Sequence, residues 1–406
     1  AGQPCCAKAD EWTKILLKNQ FHDILPGTCI TPVYTHYNTE MDQLIADLNG
    51  QALSYAQMLT DGDAAKVTLF NTLSFARDDV AVIEGAKGYA ADLPSQKYTD
   101  VCGRECLAVE VGSVDGFASK TIALTDTAPE NTSVFKYDGE TLETPFAVIR
   151  FGKDGYIESF IDKNSGRELR KANGAPLNCL LFGEDVPNIW DNWDLETDVV
   201  DRLQIVNGFV CREVVSDGCV EMRLRSTFKI GNSNLTQDMV VYAADARVDF
   251  HTLVDWNSPH SLLKVGFDLD IRTQNAKNEI QYGHVERPTT KNNSLEVAKF
   301  EVCNYKWTDV SENRFGVALL NDCKYGITVS DAYLRLSLHR GGTHPDVTGD
   351  KGVHEMTYSL LPHDGAFSAD SVVKPSYELN VPYVCVQGKA ISNEAFLQIS
   401  GDSSII

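Results

Sequence analysis

The residues best suited to chemistry stand in one run, Asn19-Gln20-Phe21-His22-Asp23-Ile24-Leu25-Pro26-Gly27-Thr28. An imidazole and a carboxylate adjoin there, directly before a Pro-Gly break. The imidazole can ligate a metal or carry a proton, and the carboxylate can ligate or accept hydroxyl hydrogen bonds. One histidine cannot define a zinc site, which takes about four ligands. The run is therefore open to two readings, a metal ligand with an acidic neighbour or a polar pair satisfied at a helix end. Trp12, Ile15 and Leu16 share one face at helical spacing, which predicts a helix running into the motif. Pro26-Gly27 ends that helix or bends the chain. A second helix is expected to start with Thr31 as N-cap and Pro32 at the first helical position. Its apolar stripe is Tyr37, Met41, Leu44, Ile45, Leu48, Ala52 and Tyr55. His22 and Asp23 are thus expected at a helix-helix corner, aimed into a shared cleft.

Three later stretches concentrate polar groups. Glu184-Asp185-Val-Pro-Asn-Ile-Trp190-Asp191-Asn192-Trp193-Asp194-Leu195 sets two tryptophans among acids. That composition suits a sugar, with rings stacking on C–H faces and carboxylates accepting hydroxyls, or a packed loop that buries both rings. Glu279 to Thr289 places Gln281, His284, Glu286 and Arg287 in a strand-to-loop passage. Polar groups this dense on a β platform are costly unless solvated or paired, and a salt-bridged turn is the alternative. Leu336 to Asp346, then Asp350 to Tyr358, holds His339, His344, His354 and Arg340 around Gly341-Gly342. The histidine spacing fits no common ligand pattern. Arg340 is the better candidate, a fixed donor fork toward hydroxyls or a carboxylate. The sequence contains no G-x-S-x-G elbow, Walker loop, H-E-x-x-H or dinucleotide fingerprint.

At 406 residues the chain can hold two or three domains. Its net charge of −21 repels phosphate backbones and anionic lipid surfaces, so nucleic acid and membrane are not expected partners. No apolar stretch approaches the roughly 20 residues needed to span a bilayer. The 11 cysteines mostly sit in apolar runs, and Cys102 and Cys106 have no second pair at finger-like spacing. Free, buried thiols are expected, and with them a reducing, cytoplasmic location.

Helical periodicity ends near residue 62 and alternation begins. Lys66–Phe70, Val80–Ile83, Glu105–Val111 and Ser119–Leu124 read as short strands, giving a small β-sandwich over 63–133. From 134 to 406 strand follows strand. Phe146–Phe151 and Tyr156–Ile161 flank a turn at Lys153-Asp-Gly, a hairpin pattern, and Leu262–Ile271 alternates with charged or small residues on one face. The fold class is mainly β behind an N-terminal helical segment, with a large sandwich rather than a βαβ layout.

The string Asn19 to Gly27 resembles the middle helical domain of family 38 glycoside hydrolases, the retaining α-mannosidases. Trp190-Asp-Asn-Trp-Asp, His251-Thr-Leu-Val-Asp-Trp, Tyr282-Gly-His-Val-Glu-Arg-Pro-Thr, Ala298-Lys-Phe-Glu-Val, Phe315 to Gly326 and His354-Glu-Met-Thr-Tyr-Ser-Leu resemble its bacterial and cytosolic branch. The resemblance implies part of a three-helix bundle over 1–62, a small β-sandwich, and a mutarotase-like supersandwich over 134–406. It implies hydrolysis of terminal α-mannosides with retention, through two carboxyl groups around 5 Å apart. His22 would ligate a catalytic zinc or cobalt and Asp23 would touch the mannose hydroxyls. Tyr282, Arg287 and Arg340 would close over the sugar. α-Mannoside oligosaccharides are the implied partners, and no catalytic residue is expected within this chain. The family places an α/β domain ahead of the motif, which supplies the other zinc ligands and both catalytic carboxyl groups. The sequence here opens shortly before the motif and ends at what resembles the start of a strand. The expectation is a C-terminal fragment of such an enzyme, inactive and metal-free without that missing domain. A stand-alone carbohydrate-binding β protein and a metal-regulated structural module are the competing readings. A homo-oligomer is compatible with all three.

Overall fold

The structure is a computed structural model that describes residues 6–187, 189, 191–392, 394–395 and 397. It opens on two helices, α1 (Cys6–Asn19) and α2 (Thr31–Met58). Among the described residues after α2 the chain is strand, turn, loop or short helix, and the longest α-helix there is the seven-residue Lys374–Asn380.

The helices pack through one buried leucine, Leu44, and a polar clasp. Asn19 closes α1 by donating to the Ile15 carbonyl at 3.0 Å and to Glu40 Oε2 of α2 at 2.7 Å. Lys18 Nζ reaches Glu40 Oε1 at 2.6 Å. These two donors hold the Glu40 carboxyl below its ordinary range. Thr31 does not cap α2: Ile30 stands at the N-cap, without a side-chain bond. The Thr31 hydroxyl instead donates to Asp346 Oδ1 at 2.6 Å, drawn away from the helix by a carboxylate of the β half.

Among the described residues the β half contains five antiparallel sheets. The small sandwich pairs a three-stranded sheet (Ala81–Glu84, Glu105–Val109, Ser95–Thr99) with a four-stranded one. In the latter, Lys66–Phe70 lies between Ser119–Thr125 and Val384–Gln387, with Phe70 opposite Val384. A strand from the far end of the chain therefore completes the sheet begun at residue 66.

The larger body has nine-, six- and four-stranded sheets. The hairpin Ala147–Phe151 to Ile157–Asp162 forms as the alternation predicts. Between the nine- and six-stranded sheets the core is aromatic: Phe250 stacks on Tyr358 at 5.2 Å and meets Phe267 at 5.9 Å. Ser261–Asp268, part of the stretch read as half exposed, is buried on both faces through Phe267. Lys264 is fully buried, its ammonium held by Glu301 and by Thr328 Oγ1 at 3.1 Å. A paired charge can lie where an alternating pattern predicts solvent.

Candidate functional site

The His-Asp run forms a compact turn. Ile24 N and Leu25 N donate to the Phe21 carbonyl, and Thr28 N donates to the Asp23 carbonyl at 3.0 Å. Gly27 takes φ +74°, a conformation that only glycine adopts freely. The turn leaves the His22 side chain 71% exposed, with its ring against Phe21 at 4.2 Å. His22 Nε2 lies 3.7 Å from Asp23 Oδ1, and that oxygen is buried with no hydrogen-bond partner.

Two loops of the β half carry the corner. Asn192 Nδ2 donates to the Gly27 carbonyl at 3.2 Å, and Asn192 N donates to the His344 carbonyl at 3.1 Å. Asp191 accepts from Thr343 N at 2.7 Å and from His344 N at 2.6 Å. Asp346, which receives the Thr31 hydroxyl, also accepts from Thr348 Oγ1, and these donors hold its carboxyl below the usual range. Motifs some 160 residues apart, read separately in the sequence, thus meet at the turn after α1. Asp346 and Asn192 are the site residues that sequence reasoning missed. Both stand in runs that the sequence marks as densely polar, but their partners lie on other elements.

Arg340 ties the same loops. Its Nε and Nη2 donate to the buried carboxylate of Asp185, and Nη2 donates to the Asp194 carbonyl. The fork that suits a ligand is here held by a carboxylate of the chain. Trp193 is 55% exposed and unburied by this lacing. Trp190 lies outside the described residues.

Beside the corner opens a cavity of about 500 Å³, bounded by Pro26, Leu195, Glu301, Lys324, His339 and Arg340. Burial and the neighbouring His354 push the His339 imidazole down to about 3, so it is neutral at pH 7. The His339 and His354 rings meet at 4.2 Å, tilted by 59°, and the Nε2 of each faces the Asp350 carbonyl. Burial pushes the Asp350 carboxyl up. Glu301 is fixed by Lys264, Thr328 and Ser337, three donors that leave it no freedom to swing.

Tyr282 lies in a second hollow, of about 570 Å³, beside Trp307 and Tyr377, while Arg287 stands outside its lining, opposite Ala276 on the same hairpin. Tyr282 tips the hairpin Asn275–Pro288, fully exposed and at φ +58°. Arg287 Nη1 donates to the Cys303 carbonyl at 2.9 Å, and burial pushes its guanidinium down. Tyr305 of this hollow meets Tyr325 of the first at 5.4 Å, so the two adjoin along one rim.

His22 and Asp23 offer a metal two donors of the right chemistry, one an orphaned buried oxygen. Among the described residues no group of three or more His, Cys, Asp or Glu could hold a metal ion. The pair fits part of a zinc shell and does not complete it. The described cysteines Cys29, Cys106 and Cys179 are buried free thiols; Cys102, Cys211, Cys303 and Cys323 are free but exposed, at turns and strand edges. No described helix is long and apolar enough to cross a membrane.

Residues 142–348, half of the chain, match the model of the glycosyl hydrolases family 38 C-terminal domain, and residues 6–59 match the alpha mannosidase middle domain. The chain belongs to glycosyl hydrolase family 38, with the His-Asp corner in the part shared with the middle domain. It is 34% identical to alpha-mannosidase G of Dictyostelium discoideum over 91% of its own length and 38% of that protein's. It is 33% identical to alpha-mannosidase 2C1 of Homo sapiens, over 92% and 35%. The chain thus spans little more than a third of the curated relatives it matches. An alpha-mannosidase from Enterococcus faecalis V583 shares the fold, with a TM-score of 0.76 at 14% identity over 95% of this chain and 54% of that one.

Proposed function

We propose that this chain forms the middle and C-terminal part of a retaining α-mannosidase that hydrolyses terminal α-mannosides with a divalent metal. The observation that carries the proposal is the His22–Asp23 corner, a partial donor set with one orphaned oxygen, held in place by Asn192 and Asp346. His22 is one ligand of a zinc or cobalt ion and Asp23 faces the sugar hydroxyls. Bound there, such an ion supplies Lewis-acid binding of the mannose hydroxyls. The chain's own task is positional: the turn fixes the donors, the two loops fix the turn, and Arg340 fixes the loops. Tyr282 lies on the rim where a longer mannoside would extend, with Arg287 further back on the same hairpin. The exposed apolar residues of α1 and α2, such as Leu17, Ile45 and Leu48, are the face that a preceding catalytic domain covers. That domain brings the remaining ligands and the two carboxyl groups that retention needs. The enzyme acts in a reducing compartment, where its thiols stay free.

The test is hydrolysis of an aryl α-mannoside, with zinc or cobalt, by this chain and by a form carrying the preceding domain. Turnover only in the longer form, with metal content and turnover both lost in His22→Ala, is the expected result. Turnover by the chain alone, or metal content unchanged in His22→Ala, overturns the proposal.

A further inference from the structure

A third cavity, of about 410 Å³, lies between the small sandwich and the outer face of the nine-stranded sheet, and it shares no bounding residue with the hollow beside the corner. Its floor follows from strand register. Arg223 pairs with Val240, which pairs with Asp249; in the next row Arg225 pairs with Asp238, which pairs with His251. Alternation puts Glu221 and Arg223 on one face of their strand, and Arg247, Asp249 and His251 on the same face of theirs. A sheet face that would ordinarily be apolar under a second domain is here a lattice of charges.

Each guanidinium on this floor is matched. Glu221 receives Nε and Nη2 of Arg223, and Asp249 receives Nε and Nη2 of Arg247. The matching leaves one nitrogen of each over. Arg223 Nη1, Arg247 Nη1 and His251 Nε2 are buried with no partner. Arg223 is 1% exposed, so bulk solvent does not satisfy its spare N–H. Three unpaired nitrogens lining one cavity call for an occupant.

The occupant's chemistry follows from what the lining lacks. Guanidinium N–H groups only donate, so it must bring acceptors. It must not bring negative charge, because six carboxylates line the cavity against four guanidiniums. Burial and neighbouring Asp79 already push the Glu378 carboxyl up to about 7. Burial and neighbouring Arg223 push the His251 imidazole down to about 4, so it adds no positive charge at neutral pH. A hydroxyl meets both demands, accepting from arginine while donating to carboxylate. Tyr98, Tyr242 and Tyr383 complete the lining, with Arg223 over the Tyr98 ring at 3.7 Å and Arg77 over the Tyr383 ring at 4.1 Å. The volume lies within the roughly 300–1,000 Å³ of small-molecule sites.

We infer that the cavity between the sandwiches binds a neutral polyhydroxyl ligand of pyranose size, at a site separate from the helix corner. Arg223 and Arg247 donate to its oxygens, and the unmatched carboxylates accept its hydroxyl hydrogens. Val82 and Glu84 stand at the mouth, both exposed. The inference does not depend on the function proposed above.

The experiment titrates methyl α-mannopyranoside onto the full chain by ligand-observed NMR, with sodium sulfate as competitor. Saturable binding that sulfate does not displace is expected. Val82→Trp, which plugs the mouth without touching the buried charges, weakens it at least about tenfold. Glu84→Trp repeats the plug from a second position, and the melting temperature of each variant is read in parallel. Asp23→Ala leaves this binding intact. Loss in Asp23→Ala with survival in both plugged variants would place the sugar at the corner and overturn the inference. Displacement by sulfate, or the absence of saturation, would overturn it as well: the first marks an anion site, the second a cavity that holds only water.

Discussion

The helical corner and the large sandwich obey the same pattern rules and end in opposite states. Of the stripe predicted on α2, Leu44 is buried, while Ile45 and Leu48 remain 51% and 43% exposed. In the large sandwich Phe250, Trp256 and Leu263 are fully buried. Periodicity reports that a face is apolar; it does not report what covers it. In the β half the cover is another strand of the same chain. On the helices it lies, in the reading proposed above, on a preceding domain. The regions also treat charge differently. The β half seals ion pairs such as Arg247–Asp249 inside, whereas the corner leaves His22 open.

Truncation should separate the two regions most strongly. Phe250→Ala is expected to cost about 3–5 kcal/mol, and Leu48→Ala less than about 0.5 kcal/mol, in urea denaturation of the chain. Equal costs would mean that the helical face is packed after all. The next contrast is in pH. Glu378 has its folded value raised from 4.5 to about 7, so the folded state holds the proton more tightly. Its contribution is full below pH 4.5 and is lost as pH rises through 7, up to about 3 kcal/mol. Glu378→Gln should remove that loss, flattening the fall in melting temperature between pH 5 and 8 relative to the unaltered chain; an unchanged slope refutes the assignment. The smallest effect is expected where the regions touch. Asp185→Ala strands the partly exposed Arg340, at about 2 kcal/mol after allowance for solvent. Limited proteolysis should then cut between residues 185 and 198 sooner. Arg340→Lys should not restore protection, since an ammonium cannot span both carboxylate oxygens; protection by lysine would show that charge alone holds the loop.

Much of the β architecture was legible because hairpins are local. Ala147–Phe151 and Ile157–Asp162 carry their alternation and their turn within sixteen residues. The helix pair was legible for the same reason, and so was the corner that holds His22. What escaped depends on partners far along the chain. Thr31 has the composition of a cap, but Asp346 competes for its hydroxyl and wins. Lys264 carries the signature of solvent, but Glu301 lets it stay inside. Arg340 is a fork without an address until Asp185 supplies one. The cavity between the sandwiches was invisible for a related reason: its charges alternate as an exposed sheet face would, and only the second domain above them makes them buried.

The pairing of Phe70 with Val384 has a consequence for synthesis. At roughly 5–20 residues per second, a ribosome needs on the order of 15–60 s to travel from one strand to the other. Throughout that interval Lys66–Phe70 is an open sheet edge with Val67, Leu69 and Phe70 beside it, a ready template for another chain. The end of α2 waits with it, because Ala56 packs against Phe70 and Val386 together. The first sheet to emerge is among the last to close, and the nascent chain must be shielded at that edge while the large sandwich is made.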